Sequence, residues 1–168
     1  MKHMDIQQFK TLPILGILRG IEPGAVEPLA DAIEVAGLHT IEITMNTPSA
    51  GAVISRMVKA AGKRLAVGAG TVIDMPSLTA ALDAGATFIV SPIVVEDVMR
   101  HCVANAIPVF PGALTPQEIY RAWQLGATMV KVFPSGLFGP KYFAEVRAPF
   151  NAIELLACGG VTPANMRD

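Results

Sequence analysis

Short apolar runs punctuate the chain at 13–18, 39–44, 65–69, 87–91, 107–110, 127–133 and 153–158. Their centres fall roughly 20 to 26 residues apart, the room taken by one strand, one helix and two loops, so the pattern predicts repeated βα units. Ala36-Gly37, Ala84-Gly85 and Leu125-Gly126 each place glycine just before a strand, where a helix should stop. Glycine takes the left-handed C-terminal conformation cheaply. Helix starts are predicted at Glu22-Pro23, Thr47-Pro48, Asp74-x-Pro76, Thr115-Pro116 and Thr162-Pro163, where a capping residue precedes a proline tolerated in the first turn. Thr115-Pro116-Gln117-Glu118 also reads as a capping box. Between these marks apolar residues recur at helical spacing, as at Val26, Leu29, Ala30, Ile33 and Ala36.

Seven strands alternating with helices predict an α/β protein with a parallel sheet, either a (β/α)8 TIM barrel or a doubly wound open sheet. The barrel is preferred. No G-x-G-x-x-G follows the first run, and polar residues stand at the ends of many different strands, where barrel enzymes assemble their sites. The same spacing would place an eighth strand at about residue 177, and barrels typically need ~250 residues. The sequence ends at Asp168. The expectation is therefore a single barrel domain over 1–168, truncated after strand 7, without strand 8 and helix 8.

Composition sharpens this picture. The mean hydropathy of +0.47 is high for a chain whose longest apolar runs fall far short of a bilayer span. Strands buried on both faces beneath helices account for it. The N-terminus, Met1-Lys2-His3-Met4-Asp5, leads into a charged and polar stretch unlike a signal peptide. Thirteen basic against fourteen acidic residues give a net charge of −1 with no basic cluster, which argues against nucleic acid or an anionic membrane and for a small-molecule partner. Cys102 and Cys158 form no CxxC pair and suit free thiols in the cytoplasm. His3, His39 and His101 make no metal motif, so no metal is expected.

Two ionisable residues lie inside apolar strands. Lys131, within Met129-Val130-Lys131-Val132-Phe133, is costly there as an ammonium. An amine freed of its proton by burial is the nucleophile that attacks a ketone to form an iminium. The bland alternative is a strand-edge lysine reaching solvent. Glu42, within Thr40-Ile41-Glu42-Ile43-Thr44, could exchange protons at carbon with a pKa raised by burial, or could be half of a structural ion pair. Arg19 ends the first strand and could grip a carboxylate with its planar fork. Gly68-Ala69-Gly70-Thr71 could bring backbone amides to an oxyanion, a weak motif by itself. Gly159-Gly160-Val161-Thr162-Pro163 is the better phosphate cradle, with glycines leading into a predicted helix N-terminus. Ser135 reads as a substrate ligand rather than a nucleophile, with no His and Asp near it in sequence.

These residues fall into a specific series. Ile17-Leu18-Arg19-Gly20-Ile21, Ile41-Glu42-Ile43, Val67-Gly68-Ala69-Gly70-Thr71-Val72, Val90-Ser91-Pro92, Pro111-Gly112, Val130-Lys131-Val132-Phe133-Pro134-Ser135 and Gly159-Gly160-Val161-Thr162-Pro163-Ala164-Asn165 occur in order. The chain resembles, over essentially its whole length, the class I 2-keto-3-deoxy-6-phosphogluconate and 4-hydroxy-2-oxoglutarate aldolase family. The resemblance implies a (β/α)8 barrel, usually a homotrimer, needing no metal or other cofactor beyond a covalent Schiff base with its substrate. It implies Lys131 as the Schiff-base lysine and Glu42 as the general acid/base. Thr71, Pro92 and Phe133 match positions lining the pyruvate half of the site, Gly159 and Gly160 match the phosphate loop, and Ser135 matches the residue after the lysine strand. Gluconate-type members commonly carry arginine four residues after the glutamate, where this chain has Asn46; galactonate-type members resemble it in pairing that Asn with a strand-1 arginine, here Arg19. Cys158 stands where the former tend to have Thr and the latter Val. The expected reaction is cleavage of 2-dehydro-3-deoxy-6-phosphogalactonate to pyruvate and glyceraldehyde 3-phosphate. The alternatives are the gluconate or 4-hydroxy-2-oxoglutarate substrate, an inactive truncated barrel, or another phosphate-binding barrel such as an isomerase.

Overall fold

The structure, a computed structural model, describes residues 3–167. Met1 and Lys2, which open the N-terminus read above, and Asp168, where an early stop was inferred, lie outside the described residues. Eight short strands form two parallel sheets. The first holds β1 (Gly16–Leu18), β2 (Thr40–Thr44), β3 (Ala66–Gly70), β4 (Ile89–Val90) and β5 (Val109–Phe110) in that order. The second holds β6 (Gly112–Ala113), β7 (Val130–Val132) and β8 (Leu155–Ala157).

The seven apolar runs each carry one strand, and β6, which no run announced, follows the fifth just past Pro111. Proline has no N–H to give a ladder, so the regular pairing stops there. Continuity passes through carbonyls: Ser91 N–H donates to Phe110 O at 3.2 Å, and Lys131 N–H to Pro111 O at 2.9 Å. The expected parallel α/β architecture is met as a wall in two sheets, with β1 and β8 each paired on one side only among the described residues, and the seventh predicted run forms β8 because the fifth βα unit contributes both β5 and β6.

Strand alternation gives the wall two faces. Ile41, Ile43, Val67, Ala69, Ile89, Val109, Val130 and Val132 form the outer face and the main core, together with helices α2 (Val26–Val35), α3 (Ala50–Ala61), α4 (Met75–Asp83), α5 (Glu96–Ala104) and α6 (Pro116–Gln124). On the inner face, Phe88, Val90, Phe110 and Met129 make a second cluster with Met4 and Phe9. Phe110 meets Phe9 and Phe88 edge-on, each at 5.8 Å between centroids. Phe9 belongs to a short helix not predicted from the pattern, α1 (Ile6–Thr11), which Asp5 caps by accepting from the amides of Gln7 and Gln8. A further helix, α7 (Pro140–Arg147), follows β7.

The capping box of α6 forms as read, Asp74 caps α4 as read and adds a box with Ser77 that was not foreseen, and Gly37, Gly85 and Gly126 have φ of +74°, +98° and +90°. Two predicted starts fail. Helix α3 begins at Ala50 after Ser49, because the Thr47 hydroxyl is buried in a loop contact and caps nothing. After Thr162-Pro163 the chain makes turns through 163–167 instead of a helix, and the Asn165 side chain accepts from Thr162 N–H and donates to Gly160 O.

Candidate active site

Glu42 and Lys131 both belong to the inner face. Glu42 lies level with Ile17 on β1 and Gly68 on β3, while Lys131 lies level with Gly112 and Leu156 on β6 and β8. Their side chains are 1% and 7% exposed. Lysine at a strand edge would reach solvent; here it does not. Both line one cavity of about 540 Å³, with Ile14, Ile17, Val90 and Leu156 as apolar wall and Cys158, Gly159 and Gly160 along one side.

Burial pushes the Glu42 carboxyl up to about 7, against the opposing charges of Lys131 and Arg19 nearby. A carboxyl poised there carries its proton part of the time at neutral pH, as proton transfer at carbon requires. Among the described residues Glu42 Oε2 has no hydrogen-bond partner. A buried acceptor left open in this way is costly for folding and suits a group that meets a ligand. The Lys131 Nζ stands 5.2 Å from the centroid of the Phe133 ring. Cys158 also borders the cavity; burial raises its thiol pKa, with the Lys131 amine close enough to oppose the shift.

The remaining predicted residues stand at or beyond the C-terminal ends of the strands. Arg19 follows β1 and shares the face of Ile17 by alternation. Thr71 follows β3 in a left-handed conformation, φ +57°, uncommon for a β-branched residue. Pro92 follows β4 and lies against Gly112, where a Cβ would come within 2.1 Å of the Pro92 carbonyl oxygen. Phe133 follows β7, half-open to solvent, and is joined to Pro134 by a cis peptide. Arg19, Thr71, Pro92 and Phe133 are not part of the 540 Å³ cavity wall, which Glu42, Lys131, Gly159 and Gly160 share.

Ser135 is buried, and its hydroxyl donates to Gly159 O at 2.9 Å. Its amide donates to Cys158 O, and that of Gly136 to Gly159 O. The turn after β7 is thus clipped to the loop after β8. A Cβ on Gly160 would fall 2.8 Å from Gly136 Cα, so the two backbones pack directly. Ser135, Gly136, Gly160 and Asn165 line an adjoining cavity of about 240 Å³, continuous in sequence with the main one through Gly160.

In sequence, Gly68-Ala69-Gly70-Thr71 was a weak candidate for bringing amides to an oxyanion. The structure gives Gly70 another part: a Cβ there would lie 2.6 Å from the Glu42 carboxyl carbon and Oε1. Gly70 leaves the space that the carboxyl occupies. Gly70→Ala is expected to displace Glu42, lower kcat/KM at least ~100-fold and cost ~1–3 kcal/mol of stability. Steady-state kinetics and thermal unfolding of the variant check this, and near-normal turnover would show that the carboxyl does not need its present position. Gly136 has no signal in the sequence, and Thr47 signalled only a helix cap, since neither close backbone approach nor a buried hydroxyl has a local pattern.

Comparison with known proteins places this arrangement. The family described as KDPG and KHG aldolase matches residues 6–168. The 2-dehydro-3-deoxy-6-phosphogalactonate aldolase of Escherichia coli K12 is 36% identical over 156 residues, 92% of this chain and 76% of that protein. A solved structure described as native KDPGal superposes with a TM-score of 0.88 at 34% identity, covering 99% of this chain and 79% of the other. A Legionella pneumophila KDPG aldolase, solved with pyruvate captured at low pH as a covalent carbinolamine, superposes with a TM-score of 0.85 at 25% identity, covering 91% and 74%.

Proposed function

This chain belongs to the KDPG and KHG aldolase family, and we propose that it cleaves 2-dehydro-3-deoxy-6-phosphogalactonate to pyruvate and D-glyceraldehyde 3-phosphate through a covalent adduct on Lys131. The observation that carries this reading is the shared burial of Lys131 and Glu42 on one face, in one cavity. A lysine amine in its neutral form attacks the C2 ketone, and loss of water from the carbinolamine leaves an iminium. The iminium accepts the electron pair of the C3–C4 bond as the C4 hydroxyl gives up its proton to the Glu42 carboxylate, directly or through a water. Glyceraldehyde 3-phosphate leaves, and a pyruvate enamine remains on Lys131. Glu42 returns a proton to C3, and water releases pyruvate and restores the amine. The covalent pyruvate of the Legionella enzyme supports the same chemistry in this chain.

In this reading Arg19 and Thr71 hold the substrate carboxylate, Pro92 and Phe133 flank the pyruvate half, and Ser135 with Gly159 and Gly160 receives the phosphate. Residues 1–168 form one barrel-type domain acting in the cytoplasm as a homotrimer. Among the described residues no helix is long and apolar enough to cross a membrane. The galactonate form is favoured by Asn46 and Arg19 and by the name of the E. coli relative. Side-by-side assays of the two C4-epimeric phospho sugar acids, following pyruvate with lactate dehydrogenase, test the choice. Faster cleavage of the galactonate form is expected; equal rates would overturn the substrate and leave the aldolase chemistry standing.

A further inference from the structure

The Thr47 hydroxyl, 4% exposed, accepts the Gly20 N–H at 3.0 Å and pairs with the fully buried Thr44 hydroxyl at 3.1 Å. Thr44 closes β2 two residues beyond Glu42, and Gly20 follows Arg19 at the end of β1. The turn that presents Thr47 is itself closed by Thr47 N–H to Thr44 O at 2.9 Å and anchored to β3 by Met45 N–H to Gly70 O at 2.7 Å. Beyond the β1–β2 ladder, no other hydrogen bond among the described residues ties 19–21 to another element. Gly20 has φ +65°, so the chain swings away from the wall immediately after Arg19. One hydroxyl therefore fixes the direction in which the β1 loop leaves the strand.

We infer that Thr47 is a positioning residue, which through Gly20 sets where the Arg19 guanidinium stands relative to the Glu42 carboxyl and to an incoming carboxylate. The inference rests on the proposed reading for the role of Arg19, but the placement of Arg19 can be read without turnover. Arg19 directly follows the last register pair, Leu18 with Ile43, and by alternation falls on the face of Ile17 beyond the Ile17–Glu42 level. Its charge acts on Glu42 from there. An arginine on an exposed loop has many rotamers, and a fixed backbone at the next residue removes much of that freedom before substrate arrives.

The test is a double-mutant cycle of Arg19→Ala and Thr47→Val in the full chain, with Thr47→Ser as the conservative control. Valine keeps the shape and removes the acceptor; serine keeps the acceptor. Thr47→Val is expected to raise the substrate KM by roughly 10-fold with kcat changed less than about 3-fold, and to change KM less than about 2-fold when Arg19 is already alanine. Thr47→Ser should stay within about 2-fold of the parent. The second readout is the Glu42 titration midpoint followed by carboxyl carbon NMR: Thr47→Val should raise it in the same direction as Arg19→Ala, and the double variant no further than Arg19→Ala alone. If the parent releases no pyruvate, the proposed reaction fails and the titration alone decides the inference. Additive effects of the two substitutions, or an unmoved Glu42 midpoint in Thr47→Val, would overturn it.

Discussion

Lys131→Met is expected to remove cleavage by on the order of 10⁴-fold or more while leaving the fold as stable as before or slightly more so. Methionine nearly matches the length of the lysine stem, and at 7% exposure an apolar end suits the site better than an ammonium. The ring of Phe133 loses a cation but keeps its packing partner. Removing the positive charge also removes one of the two influences that hold the Glu42 carboxyl down, so Glu42 should titrate above about 7 in this variant. Pyruvate release and chemical denaturation, measured together, distinguish lost chemistry from lost structure. Substantial residual turnover would mean that another group forms the bond to substrate.

Glu42→Gln carries the second large effect. A positioned acid/base contributes about 10²- to 10⁴-fold, so turnover should fall within that range while pyruvate still reaches Lys131. The same variant alters the pH dependence of stability. The folded-state pKa of Glu42, about 7, lies above the ordinary value of 4.5, so its contribution to stability is complete below pH 4.5 and is lost as pH rises through 7. The loss is on the order of a few kcal/mol, since ionising the carboxyl inside the wall lacks the solvation available in the unfolded chain. Glutamine does not ionise, and its stability curve between pH 5 and 8 should be correspondingly flatter. Denaturation midpoints across that range check the sign; identical slopes for parent and variant would contradict a buried, neutral-leaning carboxyl.

Much of this site was legible in the sequence because strands advertise their ionisable residues. Lys131 and Glu42 stand out against Val, Ile and Met neighbours, and their shared face follows from parity along paired strands. The parallel order and the glycine stops were readable for the same reason: each is a local pattern with a local cause. Other features have non-local causes. β6 (Gly112–Ala113) followed Pro111 outside any apolar run, because two small residues show as strand only through their pairing with β7. Thr47 looked like a cap and instead bonds a loop 27 residues away. Gly70 looked like part of a weak anion motif, and its effect depends on the Glu42 carboxyl one whole βα repeat earlier in sequence. Helix α1 was not read at all, since its six residues hold too little periodicity to be recognised.

Borohydride reduction in the presence of pyruvate measures directly the covalent bond proposed between Lys131 and a keto acid. A single reduced pyruvyl group is expected on the peptide containing Lys131, absent without pyruvate and absent in Lys131→Met. An unmodified Lys131 in an enzyme that still releases pyruvate, or an adduct formed on a different lysine, would contradict it.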